Sequence, residues 1–345
     1  MEFSRILNTG VEISRIGLGT WAIGGWMWGG TDEQESIRTI RSAFDHGINL
    51  IDTAPVYGFG RSEEIVGKAL ADRGLRHQAV LATKVGLDWR GAQPIRDASP
   101  RRIFKEIEAS LKRLKTDVID IYQVHWPDPA TPIEETAEAM GTLYQQGKIR
   151  AIGVSNFSPE QMTRFAKVAP IHTAQPPYNL FERSIEADVL PHCWLHGIST
   201  LVYGSICRGL LSGRMNAQTI FGGDDLRRTD PKFQQPRYGQ YLDAVERLDR
   251  FAREKYGKRV IHLALRWVLD RPGVSAALWG ARRPDQLDPI DDVMGWQLTR
   301  EDREQIVRIT EAAIVDPVGP EFMAPPAKGI DLRHDAPTRR IQANG

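Results

Sequence analysis

Residues 79–85 read AVLATKV, residues 100–115 read PRRIFKEIEASLKRLK and residues 118–125 read VIDIYQVH. The first and third are short, nearly continuous apolar runs, which predict buried β-strands. The middle segment repeats apolar residues at helical spacing and predicts a helix. Strand, helix and strand in this order indicate a parallel sheet, because parallel neighbours need a long crossover connection.

The same alternation continues along most of the chain. Eight runs predict strands, at 16–20, 48–52, 79–85, 118–125, 149–154, 171–175, 198–203 and 274–279. Helical patterns lie between them, at 33–46, 62–73, 100–115, 133–146, 159–168 and 258–270. This order matches an α/β fold of the (β/α)₈ TIM-barrel type, which needs about 250 residues plus insertions. A doubly wound sheet is the main alternative.

Three segments fall outside this repeat. Residues 3–13, which turn at Asn8-Thr9-Gly10, predict an N-terminal hairpin that could close one end of the barrel. Residues 221–240 contain Gly222-Gly223 and many charges, and are predicted as a long surface loop. Residues 316–345 are proline-rich and polar, and predict a tail or a strap. The prediction is thus one barrel domain over 1–315, followed by an extra C-terminal segment.

The charge balance argues against partners that are recruited by a global electric field. Lys and Arg number 45 and Asp and Glu number 44, so the net charge is +1, and we expect neither nucleic acid nor membrane binding. The two cysteines are too few for a disulfide framework, and the first residues do not resemble a secretory signal. We expect a cytoplasmic protein.

A glycine pattern near the N-terminus offers one reading of cofactor binding. Residues 17–22, GLGTWA, match the dinucleotide fingerprint G-x-G-x-x-A of a Rossmann dehydrogenase. The following residues, with Gly24-Gly25 and two tryptophans, are poor helix formers, and no acidic residue stands at a strand end about 20 positions further on. The Rossmann interpretation is therefore the weaker one, and it fails if this segment is a barrel strand.

A stronger signal is the set of ionisable residues at three consecutive strand ends. Asp52, Lys84 and His125 each end an apolar run, and the loop after the first of these runs carries Tyr57. In a parallel barrel these ends share one rim, so Asp52 and Lys84 can pair. An ammonium near a phenol favours the phenolate, and we expect Lys84 to lower the pKa of Tyr57. Such chemistry suits carbonyl reduction.

Six motifs together resemble the aldo-keto reductase superfamily. They are GLGTW (17–21), NLIDTAPVYG (49–58), LATKVG (81–86), IDIYQVHWPD (119–128), IRAIGVSNF (149–157) and PPYNL (176–180). The resemblance covers residues 3–310, and the stretches at 203–213 and 280–287 are similar to bacterial members that include general stress proteins, glycerol dehydrogenases and glyceraldehyde reductases.

The resemblance implies an NADP(H)-binding barrel without a Rossmann domain and a catalytic tetrad. Tyr57 would donate the proton to a carbonyl that receives hydride from the nicotinamide, and in alcohol oxidation it would act as the base. Lys84 and Asp52 would tune Tyr57, and His125 would orient the carbonyl. The implied substrates are small aldehydes such as glyceraldehyde, and alcohols or polyols such as glycerol.

The resemblance also implies positions for both ligands. Trp21, Tyr57, His125 and Trp126 match the substrate site. The coenzyme positions run from the nicotinamide to the adenosine end: Gly19, Thr20, Trp21, Asp52, Ser155, Asn156, Gln175, Tyr203, Gly204, Ser205, Arg208, Gly209, Leu210, Arg214, Gly280, Arg282 and Gln286. The cations among them would oppose phosphate charge, and Arg282 would meet the 2′-phosphate and favour NADPH.

The family pattern is not complete, and other function classes stay open. Pro289 and Ile290 stand where many relatives carry Glu-Asn, and Trp279 replaces a usual proline. His192 and His196 have helical spacing but lack a third ligand, so we expect no metal.

The superfamily also includes potassium-channel β subunits, and a non-catalytic nicotinamide-binding regulator is the alternative. We expect a monomer.

Overall fold

A closed barrel of eight parallel strands forms the centre of the molecule in the computed structural model, which describes residues 1–71 and 74–328. Its strands, in order around the barrel, are β3 (Ile16–Gly19), β4 (Leu50–Asp52), β5 (Val80–Val85), β8 (Ile121–Val124), β9 (Ile152–Ser155), β10 (Thr173–Gln175), β11 (Ser199–Val202) and β12 (Val274–Gly280). All eight predicted strands are present, and the barrel prediction is confirmed. Pairing of Gly280 with Gly19 closes the barrel.

Two short antiparallel hairpins accompany the barrel. One is formed by β1 (Phe3–Arg5) and β2 (Glu12–Ser14), and the other by β6 (Leu87–Arg90) and β7 (Gln93–Arg96). Ile6 and Ile13 of the first hairpin cluster with apolar side chains of the barrel strands, such as Leu50 and Ile121. The N-terminal hairpin therefore packs against the barrel core, as predicted, whereas the second hairpin was not anticipated.

Helices cover the outside of the barrel. They are α1 (Glu33–Asp45), α2 (Arg61–Ala71), α3 (Pro100–Leu114), α4 (Ile133–Gln145), α5 (Pro159–Ala166), α6 (Val189–Leu195), α7 (Arg237–Tyr256), α8 (Val260–Leu269) and α9 (Arg300–Ala313). The last two residues of the predicted helix 62–73 lie outside the described residues. No helix in the ranges 1–71 and 74–328 is long and apolar enough to cross a bilayer.

Both glycines of the segment 17–22 lie in barrel strand β3, which ends at Gly19, so the Rossmann interpretation is wrong. Gly17 faces Leu50 and Leu278, and a Cβ there would approach the Leu50 side chain to 2.7 Å. This glycine therefore serves close packing inside the barrel. The chain then turns through Ala22–Gly24 against the backbone of Tyr57, where a Cβ on Gly24 would lie 2.5 Å from the Tyr57 carbonyl carbon.

The segment 221–240 departs from the prediction of a surface loop. It contains the short turns Leu226–Arg228 and Pro231–Phe233, and α7 begins inside it. Phe233 packs edge-on against Phe221 and beside Tyr238, and Leu226 is buried. The glycines and charges concealed this small apolar core, because composition alone does not show which side chains meet.

The C-terminal segment 316–328 crosses the molecule as an ordered strap, and residues 329–345 of the predicted tail lie outside the described residues. Lys232 donates to the carbonyl oxygen of Gly319 at 3.2 Å, and the Val318 amide donates to the Tyr241 hydroxyl at 3.3 Å. At the other end, Arg96 donates to the carbonyl oxygens of Pro325 and Pro326.

Candidate active site

Asp52, Tyr57, Lys84 and His125 meet at the C-terminal rim of the barrel, as predicted. The Lys84 ammonium donates to Asp52 Oδ1 at 2.6 Å and to Tyr57 Oη at 3.3 Å. The rings of Tyr57 and His125 lie edge to face, with centroids 5.8 Å apart. Asp52 and Lys84 are 2% and 0% exposed, so this is a buried ion pair that touches a phenol.

The pKa of Tyr57 differs from the sequence-based expectation. Burial, together with the negative charge of Asp52, raises the pKa of the Tyr57 phenol well above its ordinary value. Lys84 does not reverse this effect, because Asp52 balances its charge only 2.6 Å away. The prediction that Lys84 lowers the pKa of the Tyr57 phenol toward neutral pH is therefore wrong for this site. Tyr57 is a protonated donor over the physiological pH range.

Burial acts in the opposite sense on the two basic groups. It lowers the pKa of Lys84, while Asp52 pulls that pKa upward. It also lowers the pKa of His125 well below its ordinary value, and the positive charge of Lys84 adds to this effect. At neutral pH the imidazole is uncharged, so His125 offers a hydrogen bond rather than a proton.

A polar group lies beside the tetrad. Tyr203 donates from its hydroxyl to Asn156 Oδ1 at 2.9 Å, and Asn156 donates to the His125 carbonyl oxygen at 3.0 Å. Ser155 donates to the carbonyl oxygen of Gln175 at 2.8 Å and accepts from Asn156 Nδ2 at 3.1 Å. These predicted nicotinamide-binding residues are thus joined into one hydrogen-bonded group.

A cleft of about 360 Å³ runs from the tetrad to β12. Most of the predicted coenzyme positions line it: Gly19, Thr20, Trp21, Asp52, Gln175, Tyr203, Gly204, Ser205, Arg208, Gly209, Arg214, Gly280, Arg282 and Gln286. Ser155 and Asn156 line the adjoining cavity instead, and Leu210 is buried and absent from both linings. The structure therefore brings the predicted set together apart from Leu210.

The walls of this cleft fit an extended anionic dinucleotide. Gly204 and Gly209 adopt left-handed conformations, and a Cβ on Gly280 would meet nothing within 4 Å, so the backbone is open to a ligand at several points. Arg282 donates to the carbonyl oxygens of Trp28 and Gly30 and, among the described residues, to no carboxylate. Its positive charge is therefore available to a phosphate.

Arg208 has a different environment from Arg282. Its guanidinium donates to Glu182 at 2.8 Å and forms an ion pair of 2.5 Å with Asp230, and Lys232 also pairs with Glu182. These four buried groups, two cations and two anions, balance each other. Arg208 thus lines the cleft while its charge is already neutralised, and the prediction that it opposes phosphate charge stays a prediction.

Several residues that line the cleft, Trp28 and Arg227 among them, were not predicted as coenzyme positions. Trp28 and Arg227 stack at 5.3 Å, and Arg227 also contacts Phe221 at 4.4 Å. Asp224 accepts hydrogen bonds from the backbone amides of Met27 and Gly29, which joins the loop after β3 to the insertion before α7. The tryptophan-rich composition of residues 21–28 was the available signal, whereas nothing local pointed to Arg227.

A second cavity of about 280 Å³ adjoins the cleft at the tetrad. All four predicted substrate residues, Trp21, Tyr57, His125 and Trp126, line it. The other walls include Trp26, Val56 and Leu87, and the strap contributes Phe322, Met323 and Pro325. None of the described residues in this lining is Asp, Glu, Lys or Arg, so the cavity favours uncharged molecules.

The histidine pair on α6 shows no metal-binding geometry. The rings of His192 and of His196, the residue that follows the helix, are tilted by 43° with centroids 4.4 Å apart. Across the part of the chain that the structure describes, no three His, Cys, Asp or Glu side chains converge in a way that could hold an ion.

Comparison with known proteins identifies the family of this chain. Residues 15–311 match the sequence model of the aldo/keto reductase family. The chain is 63% identical over 328 residues to aldo-keto reductase YhdN of Bacillus subtilis, covering 95% of this chain and 99% of that protein. It is 38% identical to the NADH-specific methylglyoxal reductase of Escherichia coli, covering 81% and 89% of the two chains.

A solved structure gives the same result. The glycerol dehydrogenase AKR11B4 from Gluconobacter oxydans superimposes with a TM-score of 0.85 at 53% identity, covering 93% of this chain and 99% of the other. The barrel, the converging tetrad and the family match over 15–311 lead to one conclusion. The chain belongs to the aldo/keto reductase family of oxidoreductases.

Proposed function

We propose that the protein reduces small aldehydes, glyceraldehyde among them, with NADPH, and oxidises the corresponding alcohols or polyols, such as glycerol, in reverse. The observation that carries this proposal is the position of Tyr57, whose ring lines both the cleft and the second cavity while its hydroxyl lies 3.3 Å from the Lys84 ammonium. A proton donor thus stands where coenzyme and substrate would meet. The Gluconobacter oxydans neighbour is named a glycerol dehydrogenase, which supports a polyol as the reverse substrate.

NADP(H), when bound in the cleft, supplies the hydride that adds to the carbonyl carbon. Tyr57 donates its phenolic proton to the carbonyl oxygen, and burial keeps that proton in place until the oxygen becomes basic. His125, uncharged at neutral pH, donates a hydrogen bond that orients the same oxygen. Lys84 stabilises the negative charge that forms on Tyr57, and Asp52 holds Lys84 in place.

In alcohol oxidation the same groups act in the reverse reaction. Tyr57 must then accept the hydroxyl proton, which requires its phenolate form. Because burial and Asp52 raise the pKa of Tyr57, this form is scarce at neutral pH. We therefore expect oxidation to become faster toward alkaline pH and reduction to change little between pH 6 and 8. Rates of NADPH oxidation with glyceraldehyde and of NADP⁺ reduction with glycerol, each measured across this range, test both directions.

The coenzyme preference depends on Arg282. Its guanidinium has no carboxylate partner among the described residues, so the 2′-phosphate of NADPH can pair with it. The relative in Escherichia coli is named NADH-specific, so the family alone does not decide this preference.

Replacement of Arg282 by alanine is expected to raise the KM for NADPH by roughly 10–100-fold, the size of a lost charge-assisted contact, and the KM for NADH by less than about threefold. Steady-state kinetics with both coenzymes provide the measurement. The control is Arg300→Gln, which removes an exposed arginine on α9 that pairs with Glu304. An equal loss for NADPH and NADH in the Arg282 variant contradicts the assignment.

The strap is expected to control substrate affinity through Arg96. This side chain donates to the Pro325 carbonyl oxygen at 2.7 Å and lies over the Trp126 ring at 5.2 Å, so it joins the strap to the wall of the second cavity. Arg96→Gln should raise the KM for aldehydes by roughly tenfold, the size of a lost charged hydrogen bond, with a much smaller change in coenzyme KM. Arg90→Gln, on the same hairpin but exposed, is the control. Equal effects of the two variants would show that the hydrogen bond from Arg96 to Pro325 has no such role.

The alternative of a non-catalytic nicotinamide-binding regulator has weaker support: relatives named as potassium-channel β subunits are 32% and 33% identical, compared with 63% for the Bacillus subtilis aldo-keto reductase. The tetrad is assembled, and a cavity for a second molecule adjoins it.

Two unpaired, buried cysteines support our proposal that the protein works in the reducing cytoplasm. A monomeric state remains a prediction, which sedimentation analysis can test.

A further inference from the structure

The carboxylate of Asp52 has more donors than the tetrad requires. Lys84 occupies Oδ1, while Oδ2 accepts from Gln175 Nε2 at 2.8 Å and from Gln123 Nε2 at 3.3 Å. Gln123 is a completely buried residue of β8, and it lines neither the cleft nor the second cavity. It therefore contacts the ion pair from below, away from the space where ligands bind.

The neighbouring strand makes room for this glutamine. A Cβ on Gly153 of β9 would lie 2.6 Å from Gln123 Cγ and 3.3 Å from its Oε1. The Thr173 hydroxyl would lie closer still, at 2.3 Å, so any larger residue at 153 would force Gln123 or Thr173 to move. The glycine at 153 thus leaves the space that the buried amide of Gln123 occupies.

Gln123 also contacts the second donor. Gln175 Nε2 lies 3.4 Å from Gln123 Oε1, so the two amides and the Asp52 carboxylate form one hydrogen-bonded group. The proposed function assigns Gln175 to the carboxamide of the nicotinamide. When Gln175 shares its amide with the coenzyme, Gln123 is the neutral donor that stays on Asp52.

We propose that Gln123 is a positioning residue that holds the Asp52 carboxylate against Lys84 and couples it, through Gln175, to the coenzyme end of the site. This inference rests on the proposed function. It assigns to Gln123 no contact with substrate or coenzyme.

The expected consequence concerns the proton on Tyr57. The groups that face this phenol are Asp52 from β4, Lys84 from β5, His125 after β8 and Tyr203 after β11. Hydrogen-bond donors to Asp52 partly neutralise its negative charge, which weakens the effect of that charge on Tyr57. Without Gln123 that charge acts more strongly on the phenol, so the phenolate becomes harder to form. Alcohol oxidation, which needs the phenolate, should suffer more than aldehyde reduction.

The test is Gln123→Met, which keeps the length of the side chain and removes its hydrogen bonds. The acidic limb of the pH–rate profile for alcohol oxidation should move to higher pH by about one unit, which corresponds to a roughly tenfold loss of rate at a fixed neutral pH. Aldehyde reduction should lose only about threefold. NADPH affinity, measured by quenching of tryptophan fluorescence, should stay within about threefold of the wild-type value, because the removed amide contacts the site only through Asp52 and Gln175.

Two further variants make the experiment decisive. Gln123→Glu keeps the shape of the side chain and adds a carboxylate beside Asp52. It should therefore move the acidic limb of the pH–rate profile further toward alkaline pH. This variant replaces Gln123→Met in the test if the methionine variant does not fold. Thr173→Val is the control, since this buried hydroxyl of β10 lies near Gly153 and has no hydrogen-bond partner among the described residues. The control should keep the wild-type pH profile.

The outcomes separate the two proposals. If the wild-type protein turns over neither aldehydes nor alcohols, the proposed function fails. If the wild-type protein is active but Gln123→Met lowers both directions equally, with an unmoved limb, the positioning role is overturned. A tenfold or larger loss of NADPH affinity with an unchanged ratio of the two rates overturns it as well.

Discussion

Tyr57→Phe is expected to lower kcat for aldehyde reduction by about 10²–10⁴-fold, the usual contribution of a positioned proton donor. The ring keeps its edge-to-face contact with His125 and its stacking on Trp21 at 5.9 Å, so the walls of both cavities persist. Only the hydroxyl that receives the Lys84 hydrogen bond is removed. NADPH affinity, measured by fluorescence quenching, should change by less than about threefold, because no charge is lost.

The matched control is Tyr144→Phe, which removes a phenolic hydroxyl from α4 and keeps the ring that packs against His172. This variant should reduce aldehydes at the wild-type rate. If Tyr57→Phe turned over at a near-normal rate, another group would have to supply the proton, and the proposed mechanism would be lost.

The second large effect is expected for Lys84→Met. This substitution leaves the Asp52 carboxylate buried without a cation, and losing one partner of a buried pair typically costs about 3–5 kcal/mol of the free energy of unfolding. Aldehyde reduction should fall by roughly 10²-fold or more, since the ammonium no longer stabilises charge on the Tyr57 oxygen. Urea denaturation and initial rates measure the two effects separately.

A double variant distinguishes stability from catalysis. Lys84→Met combined with Asp52→Asn removes both charges, and replacing a whole buried pair by neutral groups is often close to neutral for stability. The double variant should therefore recover most of the lost free energy of unfolding while staying inactive. If it were no more stable than Lys84→Met alone, the unpaired carboxylate would not be the cause of the destabilisation.

The barrel could be predicted from the sequence because its signals are local. Each strand is a short apolar run, and an ionisable residue marks the end of three of them at Asp52, Lys84 and His125. Parallel topology then places these ends on one rim without any further information. Helix α7 was missed although its apolar residues recur at helical spacing, because glycines and charges at 221–240 suggested a loop.

Other parts of the site depend on contacts that the sequence does not encode locally. Arg208 and Arg282 are both arginines in predicted coenzyme loops, yet the first meets Glu182 and Asp230 while the second meets only carbonyl oxygens among the described residues. Residue type is the same, and the partner decides whether the charge is available to a phosphate.

The order of the residues was enough to predict the alternation of strands and helices, the rim that carries the tetrad and the family to which the chain belongs. The environment of each group is visible only in the folded chain: the raised pKa of Tyr57, the amides of Gln123 and Gln175 on Asp52, and the strap that Arg96 holds beside the second cavity. The physical reason is that strand pattern is a property of neighbouring residues, whereas burial and charge balance depend on side chains that are distant in the chain and meet only after folding.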